Sequence, residues 1–202
     1  MVSFGVSDAV ALIVAVCFAA GLNVYATVAT LGLLSRAGWL LLPAPLGLVE
    51  NWWVIGICLG LWAVEFIADK IPVVDLIWNG LATFVRVPAA GLLAYAAASP
   101  LSPLEQLAAT AAGAAIAFAA HSGKVAMRAS VTASPEPFSN IALSLAEDAA
   151  AIGLTWFATQ HPWIAATIVL VLVAVIVLLV RTIIRLVRRV ARARPIKQAG
   201  SA

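Results

Sequence analysis

Long apolar segments alternate with short turns along most of this chain. The segments cover residues 9–34, 51–68, 80–98, 104–129, 139–159 and 163–180. Most of the turns between them carry proline, which cannot continue a helix because it lacks the backbone N–H group. Since about 20 apolar residues are enough to cross a bilayer as a helix, the pattern predicts an all-α, polytopic membrane protein with about six transmembrane helices.

The first apolar segment is longer than one span requires, and it contains Gly21 and Asn23 near its middle. Both residues weaken a helix, so the pattern predicts a kink or break there. The fourth segment ends in a polar stretch in which His121, Lys124 and Arg128 are spaced at three and four residues. That spacing predicts that these three side chains share one face of a helix.

The two halves of the chain, about 9–98 and 104–180, share an outline of three apolar segments each. In each half a long first segment has a polar break, a proline-containing loop follows, and acidic residues lie in the second segment. Three spans per half would insert the halves in opposite directions. This predicts a 3+3 inverted repeat with interrupted helices and a binding site between the halves. Six-span proteins also share such outlines without duplication, so both origins stay open.

The composition is that of a membrane protein. Hydrophobic residues make up 64% of the sequence and charged residues only 10%, against roughly 25% charged residues in soluble domains. The segment before residue 9 has no Lys or Arg and the apolar run continues to residue 34, which differs from a cleaved signal peptide. We therefore expect one transmembrane domain over residues 1–180, in the bacterial cytoplasmic membrane.

Positive charge is concentrated near the end of the sequence. Seven of the twelve Lys and Arg residues lie between residues 181 and 197, interspersed with apolar residues. Residues 181–202 are therefore expected to form a basic cytoplasmic tail that binds anionic membrane lipid rather than nucleic acid. Because basic segments stay in the cytoplasm, the distribution also predicts that both termini are cytoplasmic.

Ionisable residues within apolar segments cost roughly 2.5–3.5 kcal/mol each at mid-bilayer, so we expect them where they pair, contact water or carry function. The residues expected to line a path for a substrate or ion are Asn23, Tyr25, Glu65, His121, Lys124, Arg128, Asn140, Glu147 and Asp148. Those expected to form structural ion pairs near the cytoplasmic face, with Arg86 bound to Asp75 or Asp69, are Asp69, Lys70, Asp75 and Arg86. The adjacent carboxyl groups of Glu147 and Asp148 should repel each other, which favours proton exchange.

Other chemistry has little support in the sequence. Cys17 and Cys58 lie in apolar segments and are expected to be unpaired thiols. His121 and its nearby acids lack metal-site spacing, and no phosphate or dinucleotide motif is present, so we expect no metal and no cofactor, and the sequence favours a protein that is not an enzyme without deciding the matter. The alanine-rich residues 108–120 would allow close helix contacts within one chain or in a homo-oligomer.

Three motifs in the chain are distinctive. They are Glu65-Phe-Ile-Ala-Asp69-Lys70-Ile71-Pro72-Val73-Val74-Asp75, then Arg86-x-Pro88-Ala-Ala-Gly91, and later Asn140 followed by Glu147-Asp148. Together they resemble a prokaryotic membrane-protein family catalogued as domain of unknown function 4126, with the similarity covering roughly residues 10–175. The resemblance implies a multi-pass membrane architecture and no particular activity.

The leading functional hypothesis is a small transporter, flippase or channel that moves a solute, ion or lipid along a polar path between the halves, with coupling to protons. The alternative is a non-transporting scaffold or assembly factor whose charges hold helices together. A third hypothesis is an intramembrane enzyme that acts on lipid. Lys124 and Arg128 would suit an anionic substrate, whereas the acidic residues would suit a cation or a proton, and the sequence does not decide between them.

Overall fold

A computed structural model describes residues 5–132 and 137–193. Most of the predicted turn at 134–137 and the basic tail beyond residue 193 lie outside this range. Within it, all regular structure is helical: α1 (Val6–Arg36), a 3-10 helix (Ala44–Glu50), α2 (Trp52–Ala68), α3 (Pro72–Ala97), α4 (Pro103–Thr132), α5 (Pro137–Gln160) and α6 (Pro162–Ala193). The prediction of an all-α protein is confirmed, and each predicted apolar segment corresponds to one α-helix.

Local sequence signals set the helix ends. Asn51 caps α2, because its Oδ1 accepts a hydrogen bond from the backbone N–H of Trp53 at 2.9 Å. Ser102 and Glu105 form a capping box at α4, in which Glu105 Oε2 accepts hydrogen bonds from Ser102 N at 2.9 Å and Oγ at 2.7 Å. These bonds lower the pKa of the exposed Glu105 carboxyl. Helices α3 to α6 all begin with proline, which is tolerated there because the first N–H groups of a helix have no partner within it.

Several of the described helices could cross a membrane by length and apolar composition. Four qualify individually, covering Ser7–Arg36, Ile77–Ala97, Phe138–Gln160 and Pro162–Leu186. The 3-10 helix and α2 qualify together, with a bend of 60° between them, which makes up to five. α4 is not among them: much of it is alanine, and it also carries His121, Lys124 and Arg128. The chain is therefore consistent with a multi-pass membrane protein.

α1 does not run straight through the bundle but folds back at Asn23. That residue has φ −151° and ψ 101°, an extended conformation, between two helical arms at residues 6–22 and 24–36. A straight helix of this length would extend about 46 Å. Yet Ala9 in the first arm and Leu41, beyond the second arm, line the same cavity of about 320 Å³. Both arms therefore lead to the same end of the bundle, and α1 is a helical hairpin with Asn23 at its tip.

Contacts at both ends of α1 identify this end of the bundle, which we call the tryptophan end. Trp163, at the start of α6, donates its indole N–H to Asp8 Oδ1 at 2.9 Å. Ser35, near the other end of α1, donates to Glu50 Oε1 at 2.6 Å, just before α2. The exposed tryptophans here are Trp39, Trp52, Trp53, Trp156 and Trp163. Such a set is typical of an aromatic belt at one membrane interface.

The hairpin corrects the predicted topology. α2 to α6 run between the tryptophan end and the opposite end, which we call the arginine end because exposed Arg185, Arg188 and Arg189 of α6 lie there. α1 starts at the tryptophan end and α6 finishes at the arginine end, so the two ends of the described chain lie at opposite ends of the bundle, whereas the sequence predicts that both termini lie on one face. Ser7–Arg36 is long and apolar enough for one span, but the break at Asn23 divides it into two short arms, which differs from the single first span expected in the first half.

Small residues allow the first arm of α1 to pack closely against α3 and α4. A Cβ atom added at Gly21 would lie 2.4 Å from the carbonyl oxygen of Ala117 in α4. One added at Gly113 would lie 2.7 Å from Cβ of Ala94 and 2.9 Å from Sγ of Cys17. These distances leave no room for a side chain, so both glycines are required for the close approach of the three helices.

α4 has no interruption corresponding to the one in α1. Its polar stretch remains helical as far as Thr132, so the expected break occurs in the first half and not in the second. The difference follows from side-chain length. Asn23 is short and accepts a hydrogen bond from the backbone N–H of Ala26 in its own helix, whereas Lys124 and Arg128 extend to partners on other helices and leave their own helix intact.

Candidate functional site

Charged side chains gather inside the bundle, from the tip of the hairpin towards the arginine end. We call this group the charged cluster. Each member is at most 7% exposed, and the members are Glu65, Asp69, Asp75, Arg86, His121, Lys124, Arg128, Glu147 and Asp148. With His121 neutral, three cations face five carboxyl groups, so the net charge is −2 (3 − 5) when all five are ionised. Buried charges in a membrane protein are costly and indicate a functional site.

Asn23 makes two hydrogen bonds that define the hairpin tip. Its Oδ1 accepts from the backbone N–H of Ala26 at 3.0 Å, which caps the second arm. Its Nδ2 donates to Asp148 Oδ1 of α5 at 2.9 Å. In an unbroken helix the Ala26 N–H would bond to the carbonyl oxygen of Leu22. The cap therefore leaves the Leu22 carbonyl available to another donor.

Lys124 supplies that donor. Its Nζ donates to the Leu22 carbonyl oxygen at 3.1 Å and to Glu65 Oε1 at 3.0 Å. It also lies 3.3 Å from Glu147 Oε2 and 3.9 Å from Asp69 Oδ2. A single ammonium group is thus surrounded by oxygen atoms from α1, α2 and α5, and three of these atoms belong to carboxylates.

Arg128, one turn further along α4, binds three carboxylates at once. Its Nη1 donates to Asp75 Oδ1 at 2.6 Å, and its Nη2 donates to Asp69 Oδ2 at 2.7 Å. Both Nη2 and Nε donate to Glu147, with Nε 3.0 Å from Oε2. The planar guanidinium group therefore joins α2, α3 and α5 to α4, as its fork of donors allows.

Arg86 and His121 link α3 and α4 on another side of the charged cluster. Arg86 Nη2 donates to Glu65 Oε1, and its Nη1 lies 2.9 Å from His121 Nδ1. Since a guanidinium group only donates, Nδ1 must accept, and the proton of the neutral imidazole is on Nε2. Nε2 then donates to the Asn79 carbonyl oxygen at 3.1 Å or to Thr83 Oγ1 at 2.7 Å.

The partner of Arg86 differs from the one predicted. Arg86 binds Glu65, whereas Asp69 and Asp75 bind Arg128. Arg86 lies 14 residues beyond the start of α3, about 21 Å along the helix, so it is far from Asp75 and from the connection to α2, and its side chain contacts Glu65 instead. Asp69 and Asp75 lie nearer the arginine end, beside the last turns of α4.

Glu147 and Asp148 are adjacent in sequence but have different partners. Successive residues of a helix point about 100° apart. Glu147 accordingly contacts Arg128 and Lys124, while Asp148 contacts Asn23. Separate donors therefore offset the repulsion that the sequence predicted between the two carboxyl groups.

Two further polar residues of the site were missed by the sequence analysis. Ser144 Oγ donates to Asp69 Oδ2 at 3.2 Å, and Asn79 Nδ2 donates to Asp75 Oδ1 at 2.6 Å. Their helical spacing could have identified both residues, because Ser144 lies one turn from Asn140 and Asn79 lies one turn from Asp75. Asn140, which was predicted, donates to the backbone carbonyl oxygen of Asp69 at 3.0 Å.

Among the described residues, two predicted side chains make neither a hydrogen bond nor an ion pair with the charged cluster. Tyr25 is half-buried against the apolar core, and in the described ranges it makes no hydrogen bond to the cluster. Lys70 donates to the Phe66 carbonyl oxygen at 2.7 Å, and its Nζ lies 3.0 Å from the centre of the Phe66 ring. Because the lysine side chain folds back along α2, the ion pair predicted for Lys70 does not form among the described residues.

The charged cluster has unsatisfied capacity for positive charge. Within the described part of the chain, the buried carboxylate oxygens without a hydrogen-bond partner are Glu65 Oε2, Asp69 Oδ1 and Asp148 Oδ2. The buried donors without a partner near these oxygens are Arg86 Nε and the indole Nε1 of Trp62 beside Asp148, so the three unpaired carboxylate oxygens outnumber these two donors. A buried carboxylate oxygen is unfavourable unless it meets water, a proton or a cation.

A mainly apolar groove of about 420 Å³ lies beside the cluster, where α1, α4 and α6 meet. Leu22, Leu172 and Ile176 are among the aliphatic side chains that form its walls. Lys124 and Glu147 also line it. The groove therefore offers the Lys124 side chain space outside its ring of oxygen atoms.

One comparison with known proteins gives a match. The family model described as a domain of unknown function (DUF4126) matches residues 10–182. No curated protein and no solved structure matches the chain. The family match includes every member of the charged cluster and ends where the basic extension of α6 begins.

Proposed function

Because the chain belongs to the DUF4126 family, which is described only as a domain of unknown function, we propose its function from its own charged cluster: a small membrane transporter or channel that moves a cation, with coupling to protons. The path passes the hairpin tip, where Asn23, Lys124 and Glu147 come together. Broken helices whose ends meet charged residues near the membrane centre are typical of ion and substrate sites in transporters.

The observation that carries this proposal is the excess of carboxylate over cationic groups in a buried site. The net charge of −2 (3 − 5) and the unpaired carboxylate oxygens favour a cation or proton as the mobile species. An anion is disfavoured, because Arg86, Lys124 and Arg128 each already contact a carboxylate. The sequence left open whether the transported species is an anion or a cation, and the excess negative charge favours a cation or a proton.

The proposed orientation puts the arginine end in the cytoplasm of a bacterium. Arg185, Arg188 and Arg189 are exposed there, and basic residues near the ends of membrane helices remain cytoplasmic. The start of α1 is then extracytoplasmic, and the basic extension of α6 contacts anionic lipid.

The proposal also includes an inverted repeat that covers only part of each half, namely the second and third helices. α2 and α5 run in opposite directions, and so do α3 and α6. The polar contacts support the same relation, since Asn23 of α1 bonds to Asp148 of α5 and Lys124 of α4 bonds to Glu65 of α2. In each case the first helix of one half contacts an acid on the second helix of the other half.

Flux measurements on Glu147→Gln test the proposed function. In liposomes containing the purified protein and a pH-sensitive dye, an imposed Na⁺ or K⁺ gradient should drive a change of internal pH. We expect Glu147→Gln to lower the initial rate about tenfold or more, since it removes one of the carboxylates around Lys124. Glu105→Gln, in the exposed capping box, is the matched control and should keep the wild-type rate. Absence of cation-dependent flux in the wild type would contradict the proposal.

A scaffold or assembly factor is the second candidate, because Arg128 alone joins three helices to α4. A purely structural role predicts that variants of the charged cluster lose folded protein in proportion to any loss of activity. Glu147→Gln that is folded and inactive in flux therefore favours transport over a scaffold.

A further inference from the structure

The groove beside the charged cluster has the properties of a ligand pocket. Its volume of about 420 Å³ falls within the roughly 300–1,000 Å³ of small-molecule sites, which are typically apolar with a few polar groups. Apolar side chains of α1, α4 and α6 form most of its walls, and the charged residues among its described lining are Lys124 and Glu147. Leu172, Val175 and Leu179 of α6 are 41–57% exposed, so the groove is open at the surface that faces lipid.

A second apolar cavity of the bundle provides a comparison. The cavity of about 320 Å³ at the tryptophan end is lined by residues such as Leu12, Leu31 and Leu46, and no charged side chain is among its described lining residues. A lipid acyl chain would suit either space, because apolar walls do not distinguish one aliphatic chain from another. The ionic groups at the groove therefore favour an occupant that carries a charge as well as a chain.

The charges around the groove decide the sign of that occupant. Lys124 Nζ lies 3.0–3.9 Å from carboxylate oxygens of Glu65, Asp69 and Glu147. Arg128 also binds Asp69 and Glu147, so the positive charge of both groups is already offset. Since the whole charged cluster has a net charge of −2 (3 − 5), a bound cation would reduce the buried excess, whereas a bound anion would increase it.

We infer that the groove binds an organic ammonium ion with an aliphatic chain, with its charged end at Glu147 and its chain along α6. Glu147 belongs to both surfaces, because it lines the groove and also contacts Lys124 and Arg128. The carboxylates offset the charge of the ligand, and the apolar walls accommodate its chain. This inference rests on the proposed function and adds to the inorganic cations a class of substrate that reaches the path from the lipid side.

Three probes test the inference on the wild-type protein. They are octyltrimethylammonium, which has a permanent charge, octanesulfonate, which has the same chain with the opposite charge, and tetramethylammonium, which has no chain. Binding is measured by calorimetry on the full chain in phosphatidylcholine nanodiscs, with the heat from empty nanodiscs subtracted. We expect saturable binding of about one octyltrimethylammonium per chain, at least about tenfold tighter than either other probe, because only this probe matches both the charge and the walls.

The other results of the probe comparison would contradict the inference. Equal or tighter binding of octanesulfonate would assign the groove to an anionic lipid and overturn it. Equal binding of tetramethylammonium would show that the apolar walls do not contribute, and absence of saturable octyltrimethylammonium binding would show that the groove is not such a site. Either result would overturn the inference.

A charge variant tests the place of the ammonium group. Glu147→Gln removes the carboxylate at the groove and changes the net charge of the cluster from −2 to −1 (3 − 4). We expect the affinity for octyltrimethylammonium to fall at least about tenfold. Glu105→Gln, in the exposed capping box, should bind the probe like the wild type. Unchanged affinity in folded Glu147→Gln would overturn the inference.

A matched pair of alanine variants tests the place of the chain. Ala126 is exposed and lines the groove, whereas Ala9 is half-buried and lines the cavity at the tryptophan end. Ala126→Phe fills part of the groove and should lower the affinity for octyltrimethylammonium at least about tenfold, while Ala9→Phe should leave it unchanged. Equal affinities of the two variants, each checked for folding by size-exclusion chromatography, would overturn the inference.

The groove site and the transport function can fail separately. Octyltrimethylammonium binding without Na⁺-driven or K⁺-driven pH change in liposomes would support the groove site and contradict the transport function. A cation-driven pH change without octyltrimethylammonium binding would overturn the groove site and leave the transport function in place.

Discussion

Replacement of Arg128 by alanine is expected to lower the free energy of unfolding by roughly 3–5 kcal/mol. The guanidinium group binds Asp69, Asp75 and Glu147, and its removal would leave three buried carboxylates with less compensating charge. Loss of one partner from such a buried set of ion pairs costs far more than loss of an exposed ion pair, because the remaining charges cannot reach water. The measurement is reversible unfolding in mixed micelles, followed by tryptophan fluorescence.

Arg36→Ala is the matched control for Arg128→Ala. Arg36 is at the tryptophan end, where it donates to the Glu50 carbonyl oxygen at 3.0 Å and lies over the Trp52 ring in an exposed setting. Its removal should cost no more than about 1 kcal/mol. Adding Asp75→Asn to Arg128→Ala should recover part of the loss, since one buried charge is removed along with its partner. Equal losses for Arg128→Ala and Arg36→Ala would refute this account of the charged cluster.

The helices were predictable because their ends are encoded locally. Pro72, Pro103 and Pro162 begin helices where the apolar segments were expected to restart, and a proline has the same effect in most surroundings. The face formed by His121, Lys124 and Arg128 follows in the same way, since spacing along one helix decides it. All three side chains are buried in the charged cluster.

The hairpin could not be predicted in full from the same kind of pattern. Gly21 and Asn23 predicted a break, but hydropathy does not distinguish one long span from two short arms that return to the same side. The deciding contacts are between distant residues, such as Asp8 with Trp163 and Asn23 with Asp148. The partner of Arg86 was not predictable for the same reason, because it depends on the offset between the antiparallel helices α2 and α3 along their axes.

Asn23→Ala is expected to lower the free energy of unfolding by roughly 2–3 kcal/mol and to slow the cation-driven pH change in liposomes about tenfold. The substitution removes the cap of Ala26 and the hydrogen bond to Asp148. The Ala26 N–H can then return to the Leu22 carbonyl, which withdraws that oxygen from Lys124. Unfolding in mixed micelles and the flux assay in liposomes measure the two effects separately.

Two controls show whether these effects arise at the hairpin tip. One is a change elsewhere in α1, and the other exchanges two side chains. Thr30→Val removes a bond from Thr30 Oγ1 to the Ala26 carbonyl oxygen, 2.7 Å long and partly buried, and should cost under about 1 kcal/mol. In the double variant Asn23→Asp with Asp148→Asn, a carboxylate still accepts the Ala26 N–H and an amide still donates across to it. This exchange should recover most of the lost stability, because it preserves both hydrogen bonds and the net charge. A double variant no more stable than Asn23→Ala would mean that Asn23 does not hold the tip through these bonds, and the freed Leu22 carbonyl would lose its explanation.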